Sequence, residues 1–111
     1  MSTYNDTHFL SLILPAYKQE KTIVGNVLEI KRVLDTIRYD YEIIIVIDGV
    51  LDDTLIRLQQ AKIPKVKHIS YKDNKGKSYA IRVGMNAAKG DYVMFMDAGN
   101  EIEPNGISML L

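Results

Sequence analysis

The chain has 111 residues, 47% of them apolar, with fourteen basic and fourteen acidic side chains and a formal net charge of zero. That length suits one small domain or part of a larger one, the apolar content argues against disorder, and the charge balance gives no electrostatic case for nucleic acid or an anionic membrane as the main partner. There is no cysteine, which removes disulfides, thiolate metal sites and a thiol nucleophile and fits a reducing compartment.

The first nine residues, MSTYNDTHF, are polar and carry no apolar signal core, so secretion is not indicated. No apolar run approaches the roughly 20 residues needed to cross a bilayer. Phe9 to Leu14 is a short apolar run stopped by Pro15 and predicts a strand. From Thr22 to Ile37, apolar residues fall at Ile23, Val27, Ile30, Leu34 and Ile37, one face of a helix. Glu42 to Ile47 is β-branched on both faces, the pattern of a strand covered on both sides in a parallel sheet.

Asp48-Gly49 breaks that strand, and Asp52 to Ala61 predicts a short helix with Asp52 or Asp53 as N-cap. Val66 to Ser70 is a third strand. Lys75 to Ala88 is a helix with Ala80, Ile81, Gly84, Met85 and Ala88 toward the core and Gly90 as its C-cap. Asp91 to Met96 is a fourth strand, with Met94 and Met96, like Met85, filling the core. Pro104 opens a last helix. The order βαβαβαβα predicts an α/β fold, a mainly parallel sheet with helices on both faces. The chain stops on the uncapped apolar run SMLL, so a fragment of a longer protein is expected.

Ligands of an open parallel sheet bind beyond the carboxyl ends of the strands. Four loops meet there: PAYKQE, DGVLDD, YKDNKGKS and DAGNE. They offer Tyr17, Asp48, Asp52, Asp53, Lys75, Lys77, Asp97 and Glu101. A ring to stack, acids for a base edge, ribose or metal, and lysines for phosphates suit a nucleotide. Neither the G-x-G-x-x-G fingerprint nor the G-x-x-x-x-G-K-[ST] phosphate loop is present; Tyr71 stands where the latter needs its first glycine. His8 and His68 have no partner at metal-ligand spacing and receive no role.

The segments LILPAYKQEKTI, YDYEIIIVIDGVLDDT and NKGKSYAIRVGMNAAKGDYVMFMDAGNEIEP resemble, in order and spacing, the nucleotide-binding half of family-two inverting glycosyltransferases of the GT-A fold, which include polyprenyl-phosphate sugar synthases. The resemblance implies a truncated, Rossmann-like GT-A sheet over residues 1–111, binding a nucleotide-diphosphate sugar, with the acceptor half and the catalytic base expected beyond Leu111. It implies hexosyl transfer with inversion to an acceptor such as a lipid phosphate or glycan. The expected location is cytoplasmic, at the cytoplasmic face of a membrane in a longer protein. The 111 residues alone are expected to be inactive.

Carried over by position, Pro15, Ala16, Tyr17, Gln19, Asp48, Lys77 and Asp97 are the implied nucleotide contacts. Lys18 and Gln19 replace the usual Asn and Glu of the first loop, and Glu20 is retained. Ile47 stands where the second motif has its first Asp; Asn74, Gly76 and Lys77 match the third motif, and Arg82 reads as structural. Asp97 takes the first place of the metal-binding D-x-D, and Gly99 replaces the second Asp. A divalent cation, Mg²⁺ or Mn²⁺, then has Asp97 and Glu101 as its candidate ligands. The alternative reading is a degenerate, non-catalytic nucleotide-binding module.

Overall fold

The computed structural model of the chain describes residues 8–96. Its elements are β1 (Phe9–Ala16), α1 (Ile23–Leu34), β2 (Asp40–Asp48), α2 (Thr54–Ala61), β3 (Val66–Tyr71), α3 (Lys77–Ala87) and β4 (Tyr92–Phe95). The strands form one four-stranded parallel sheet in the order β3-β2-β1-β4. The helix expected from Pro104, and the candidate residues Asp97, Gly99 and Glu101, lie outside the described residues.

Alternation along the two central strands decides which helix packs where. Leu10, Leu12, Leu14 and Ala16 of β1 lie beside Tyr41, Ile43, Ile45 and Ile47 of β2, and this face is covered by Ile23, Val27, Ile30 and Leu34 of α1 and Leu58 of α2. The opposite face carries Ile13, Ile44 and Val46 under Ala80, Val83 and Ala87 of α3. Both faces of β2 are therefore dry, which explains its unbroken β-branched run. Pro15 sits in β1 next to Val46, past the last described pairing with β4 at Ile13, so its missing N–H interrupts no rung there.

The α3 face also holds a buried polar group of contacts. Glu42 accepts from Ser11 Oγ at 2.6 Å and from the Lys89 amide at 2.9 Å, and pairs with Lys67 Nζ at 2.7 Å. Burial alone would raise its carboxyl, but these donors outweigh burial and hold it below the usual range.

Several boundaries and orientations differ from expectation. Helix α1 ends at Leu34, and Ile37 packs on the core from the following turn. Helix α3 starts at Lys77, because Gly76, at φ +98°, breaks the helical path before it. Met85 is 53% exposed rather than core, whereas Met94 and Met96 do pack on the core. Val83, not Met85, faces the sheet. Gly90 is not a C-cap: α3 ends at Ala87, with extended Ala88 as its cap. A Cβ on Gly90 would lie 2.7 Å from the Phe9 carbonyl oxygen and 2.7 Å from the Ser11 amide nitrogen. Its glycine serves close approach to β1, where its N–H donates to Ser11 Oγ at 2.9 Å.

Candidate functional site

The carboxyl ends of β1, β2 and β3 bring three loops to one edge of the sheet. Pro15 and Ala16 are buried at the end of β1, and Tyr17 follows them at the edge, 43% exposed. Lys18 follows in the left-handed region at φ +51°, and its Nζ stands 5.5 Å from the centre of the Tyr17 ring. The Gln19 side chain is turned back on its own loop: Nε2 donates to the Tyr17 carbonyl at 2.9 Å, and Oε1 accepts from Thr22 Oγ1 at 3.3 Å.

This first loop is locked to the second. The Gln19 amide donates to Thr54 Oγ1 at 2.9 Å, and Thr54 Oγ1 in turn donates to Asp52 Oδ1 at 2.6 Å. The other Asp52 oxygen accepts from the Glu20 amide at 3.3 Å, while Glu20 Oε1 accepts from the Asp53 amide at 3.0 Å. Burial would raise the Asp52 carboxyl, but the Thr54 hydroxyl and amide, with the Glu20 amide, hold it low. Asp53 occupies the N-cap position of α2 with no side-chain cap bond; Asp52 bonds the Thr54 amide at 2.9 Å instead. Thr54 and Glu20 are thus the residues that fix the Tyr17 loop. Neither received a role from sequence; the signals that could point to them are the DDT that closes the second resembling segment and Glu20, the acid retained in the first.

Asp48 ends β2 only 4% exposed. Its Oδ1 accepts from Tyr71 Oη at 2.7 Å and from the Lys75 amide at 2.8 Å. Its Oδ2 accepts from Asn74 Nδ2 at 2.6 Å and from the Gly76 amide at 2.9 Å. Gly49, at φ +95°, completes this seat, since a Cβ there would come within 3.0 Å of the Asn74 amide nitrogen. Burial, then the bond to Asp48, push the Tyr71 hydroxyl upward, so it stays a proton donor. Tyr71 was not singled out from sequence, because a strand-ending tyrosine reads as packing until its partner is known.

Beyond the seat, α3 begins. Its N-cap is Gly76, with no side-chain cap bond and no acid in the first turn, so Lys77 opens a helix end whose dipole favours an anion. Tyr79 of the same turn meets Tyr71 edge-on at 5.3 Å, and Lys75 Nζ lies 5.6 Å from the Tyr79 ring. Among the described residues there is no group of three or more acids or histidines placed to hold a metal ion. The chain leaves β4 at Met96, whose amide donates to the Ile13 carbonyl at 3.1 Å, and the metal candidates Asp97 and Glu101 follow outside the described residues.

An exposed aromatic, an anion-favouring helix start and acid-fixed loops thus share one carboxyl edge. The family model "Glycosyl transferase family 2" matches residues 11–111. The chain belongs to this family. It is 35% identical over 98 residues to dolichyl-phosphate beta-glucosyltransferase of Drosophila melanogaster, covering 80% of this chain and 30% of that protein. It is 29% identical over 114 residues to undecaprenyl-phosphate 4-deoxy-4-formamido-L-arabinose transferase of Proteus mirabilis (strain HI4320), covering 100% and 35% respectively.

Among solved structures, glucosyl-3-phosphoglycerate synthase from Mycobacterium tuberculosis, in complex with Mn²⁺, uridine-diphosphate and glucosyl-3-phosphoglycerate, superimposes with a TM-score of 0.72 at 27% identity. The match covers 92% of this chain and 38% of that one. The chain thus spans about a third of the length of these relatives. The GT-A, Rossmann-like fold expected from sequence is the fold observed. No helix among the described residues is long and apolar enough to cross a membrane.

Proposed function

We propose that this chain forms the donor-binding part of a glycosyltransferase that moves a sugar, with inversion, from a nucleotide-diphosphate sugar to an acceptor. The observation that carries this reading is the pairing, at one sheet edge, of exposed Tyr17 with the start of α3, where Gly76 is followed by Lys77. The ring offers a face for a nucleobase, and the helix start with its lysine offers charge for a diphosphate. The two are held by separate supports, Thr54 with Asp52 under the first and Asp48 under the second.

In the transfer, the acceptor oxygen bonds to the anomeric carbon from the face opposite the diphosphate, and the bond from that carbon to the leaving phosphate oxygen breaks. The acceptor proton passes to a general base. Positive charge at Lys77 and the α3 dipole stabilise the leaving diphosphate. Asp97, with Glu101, is the candidate holder of Mg²⁺ or Mn²⁺, which would neutralise the same diphosphate; the mycobacterial synthase structure is a complex with Mn²⁺, uridine-diphosphate and glucosyl-3-phosphoglycerate. Gly99 leaves that site one carboxylate short of D-x-D. The acceptor is a lipid phosphate or a glycan, and the proposed setting is cytoplasmic, at a membrane face where the acceptor is a lipid.

Titration of the chain with uridine and guanosine diphosphates, each with and without Mn²⁺ or Mg²⁺, tests this reading. Saturable binding is expected, tightened by the cation if Asp97 holds it. A folded sample that binds neither at millimolar concentration contradicts the donor site.

A further inference from the structure

A helix is about 10–12 Å across and strands lie about 4.8 Å apart, so one helix covers about two strands. A four-stranded sheet therefore has room for a pair of helices on each face. One face of this sheet carries its pair, α1 and α2. The other carries α3 alone among the described residues. The cluster under α3 takes in Ile69 and Tyr71 of β3, Ile44 and Val46 of β2 and Ile13 of β1. Beyond Ile13 lies β4. Its Val93 and Phe95 stand beside Ser11 and Ile13 and so share that face, where they are 43% and 54% exposed. Their neighbours on the opposite face are engaged: Met94 packs on the core, and Tyr92 meets the His8 and Tyr39 rings.

The two outer strands of the sheet also differ. In β3 the exposed residues include Lys67 and His68, the kind of side chain that guards a free edge against pairing. Tyr92–Phe95 of β4 carries no charge at all.

We propose that residues 104–111 of this chain form the second helix of the α3 face and seat Ile107, Leu110 and Leu111 on Val93 and Phe95. Those three apolar residues have the spacing of one helical stripe, and Pro104 stands at a favoured first-turn position. Handedness selects the face. Helices α1 and α2 carry the chain from β1 to β2 to β3 over one face, and α3 carries it back to β4 over the other, as right-handed crossovers require. A chain that leaves β4 outward, away from β1, crosses on the α3 face again, where Val93 and Phe95 are open. Length suffices as well: a helix over residues 104–111 is about 12 Å long, against about 7 Å along the strand from Val93 to Phe95. Residues 97–103, which include Asp97 and Glu101, are then tied at both ends, by the Met96 amide on the Ile13 carbonyl and by the docked helix.

Nuclear Overhauser contacts in the full 111-residue chain test this. Methyl protons of Ile107, Leu110 and Leu111 are expected to meet the Phe95 ring and the Val93 methyls. These contacts should persist on dilution and be absent between chains when isotope-labelled and unlabelled protein are mixed. Phe95→Ala is expected to speed amide exchange at residues 107–111 by about tenfold or more, with exchange in β1 and β2 kept within about twofold. Ile107→Asp should loosen the same segment from its own side, which keeps the proposal testable if Phe95→Ala does not fold. A folded chain without contacts from those methyls to Phe95 or Val93 overturns the proposal. Contacts seen only between chains overturn it too, because a second copy then covers the face. Exchange at residues 107–111 that neither substitution changes has the same consequence.

Discussion

Replacing Thr54 by valine keeps the side-chain volume and deletes one oxygen. Thr54 is fully buried, and that oxygen serves both the Gln19 amide at 2.9 Å and Asp52 Oδ1 at 2.6 Å. Valine leaves the Gln19 amide without its acceptor, a cost of about 1–3 kcal/mol for a buried donor. Asp52 loses one donor but keeps the Thr54 amide at 2.9 Å and is only half-buried, so its share is small. The sum is about 2 kcal/mol, or a fall in Tm of roughly 10 °C for a chain of this size. Thr54→Ser keeps the oxygen and loses a methyl, about 1 kcal/mol. Thermal and urea unfolding of the three proteins, with amide exchange at Gln19, separates the cases. Valine should be the less stable variant and the only one with fast exchange at Gln19. If serine proves worse than valine, or Gln19 exchange is unchanged in valine, the hydroxyl does not hold the Tyr17 loop.

Other residues give sharper local tests. Gly90→Ala puts a methyl 2.7 Å from β1 backbone, so urea unfolding should show a loss of about 2 kcal/mol; a neutral result would mean the α3–β4 turn shifts freely. Lys62 caps α2 in the left-handed region at φ +51°, and Lys62→Gly should raise stability by about 0.5–1 kcal/mol in the same assay. Glu42 is held below the usual carboxylate range, so its contribution is present above its unfolded pKa and is lost as pH falls through the lowered folded value. Glu42→Gln should therefore be less stable at pH 7 and show a shallower decline than wild type below roughly pH 4.3; parallel stability curves across that range would contradict the assignment.

The fold was legible because its signals are redundant. The β-branched run of β2, the helical spacing from Ile23 to Leu34 and the alternation of elements each point to a parallel sheet, and the register confirms both buried faces. What sequence missed depends on partners distant along the chain. Periodicity placed Met85 inward, but the stripe of α3 that meets the sheet runs through Ala80, Val83, Gly84 and Ala87. Gly90 after a helix looks like a cap, and only the nearness of Phe9 and Ser11 shows otherwise.

The site divides in the same way. The loops and exposed Tyr17 were readable from strand ends and motif order, whereas the occupants of the acids were not. Nothing local in IDGV says that Asp48 meets Asn74, Lys75 and Gly76 more than twenty residues on. Nothing in DDT says that Thr54 is the acceptor for Gln19. Asp48 and Asp52 each accept hydrogen bonds from the amides of a neighbouring loop.

The most direct measurement is a residue-resolved map of nucleotide binding: ¹H–¹⁵N spectra of the chain during addition of uridine or guanosine diphosphate. The account predicts saturable shifts at Tyr17, Gln19 and Lys77, at the carboxyl edge of the sheet, and at Asp97. It is contradicted if no resonance moves at millimolar nucleotide, or if the shifts gather instead at the opposite edge, around His8, Tyr39 and Tyr92, whose rings cluster within 5.2 to 5.8 Å of one another.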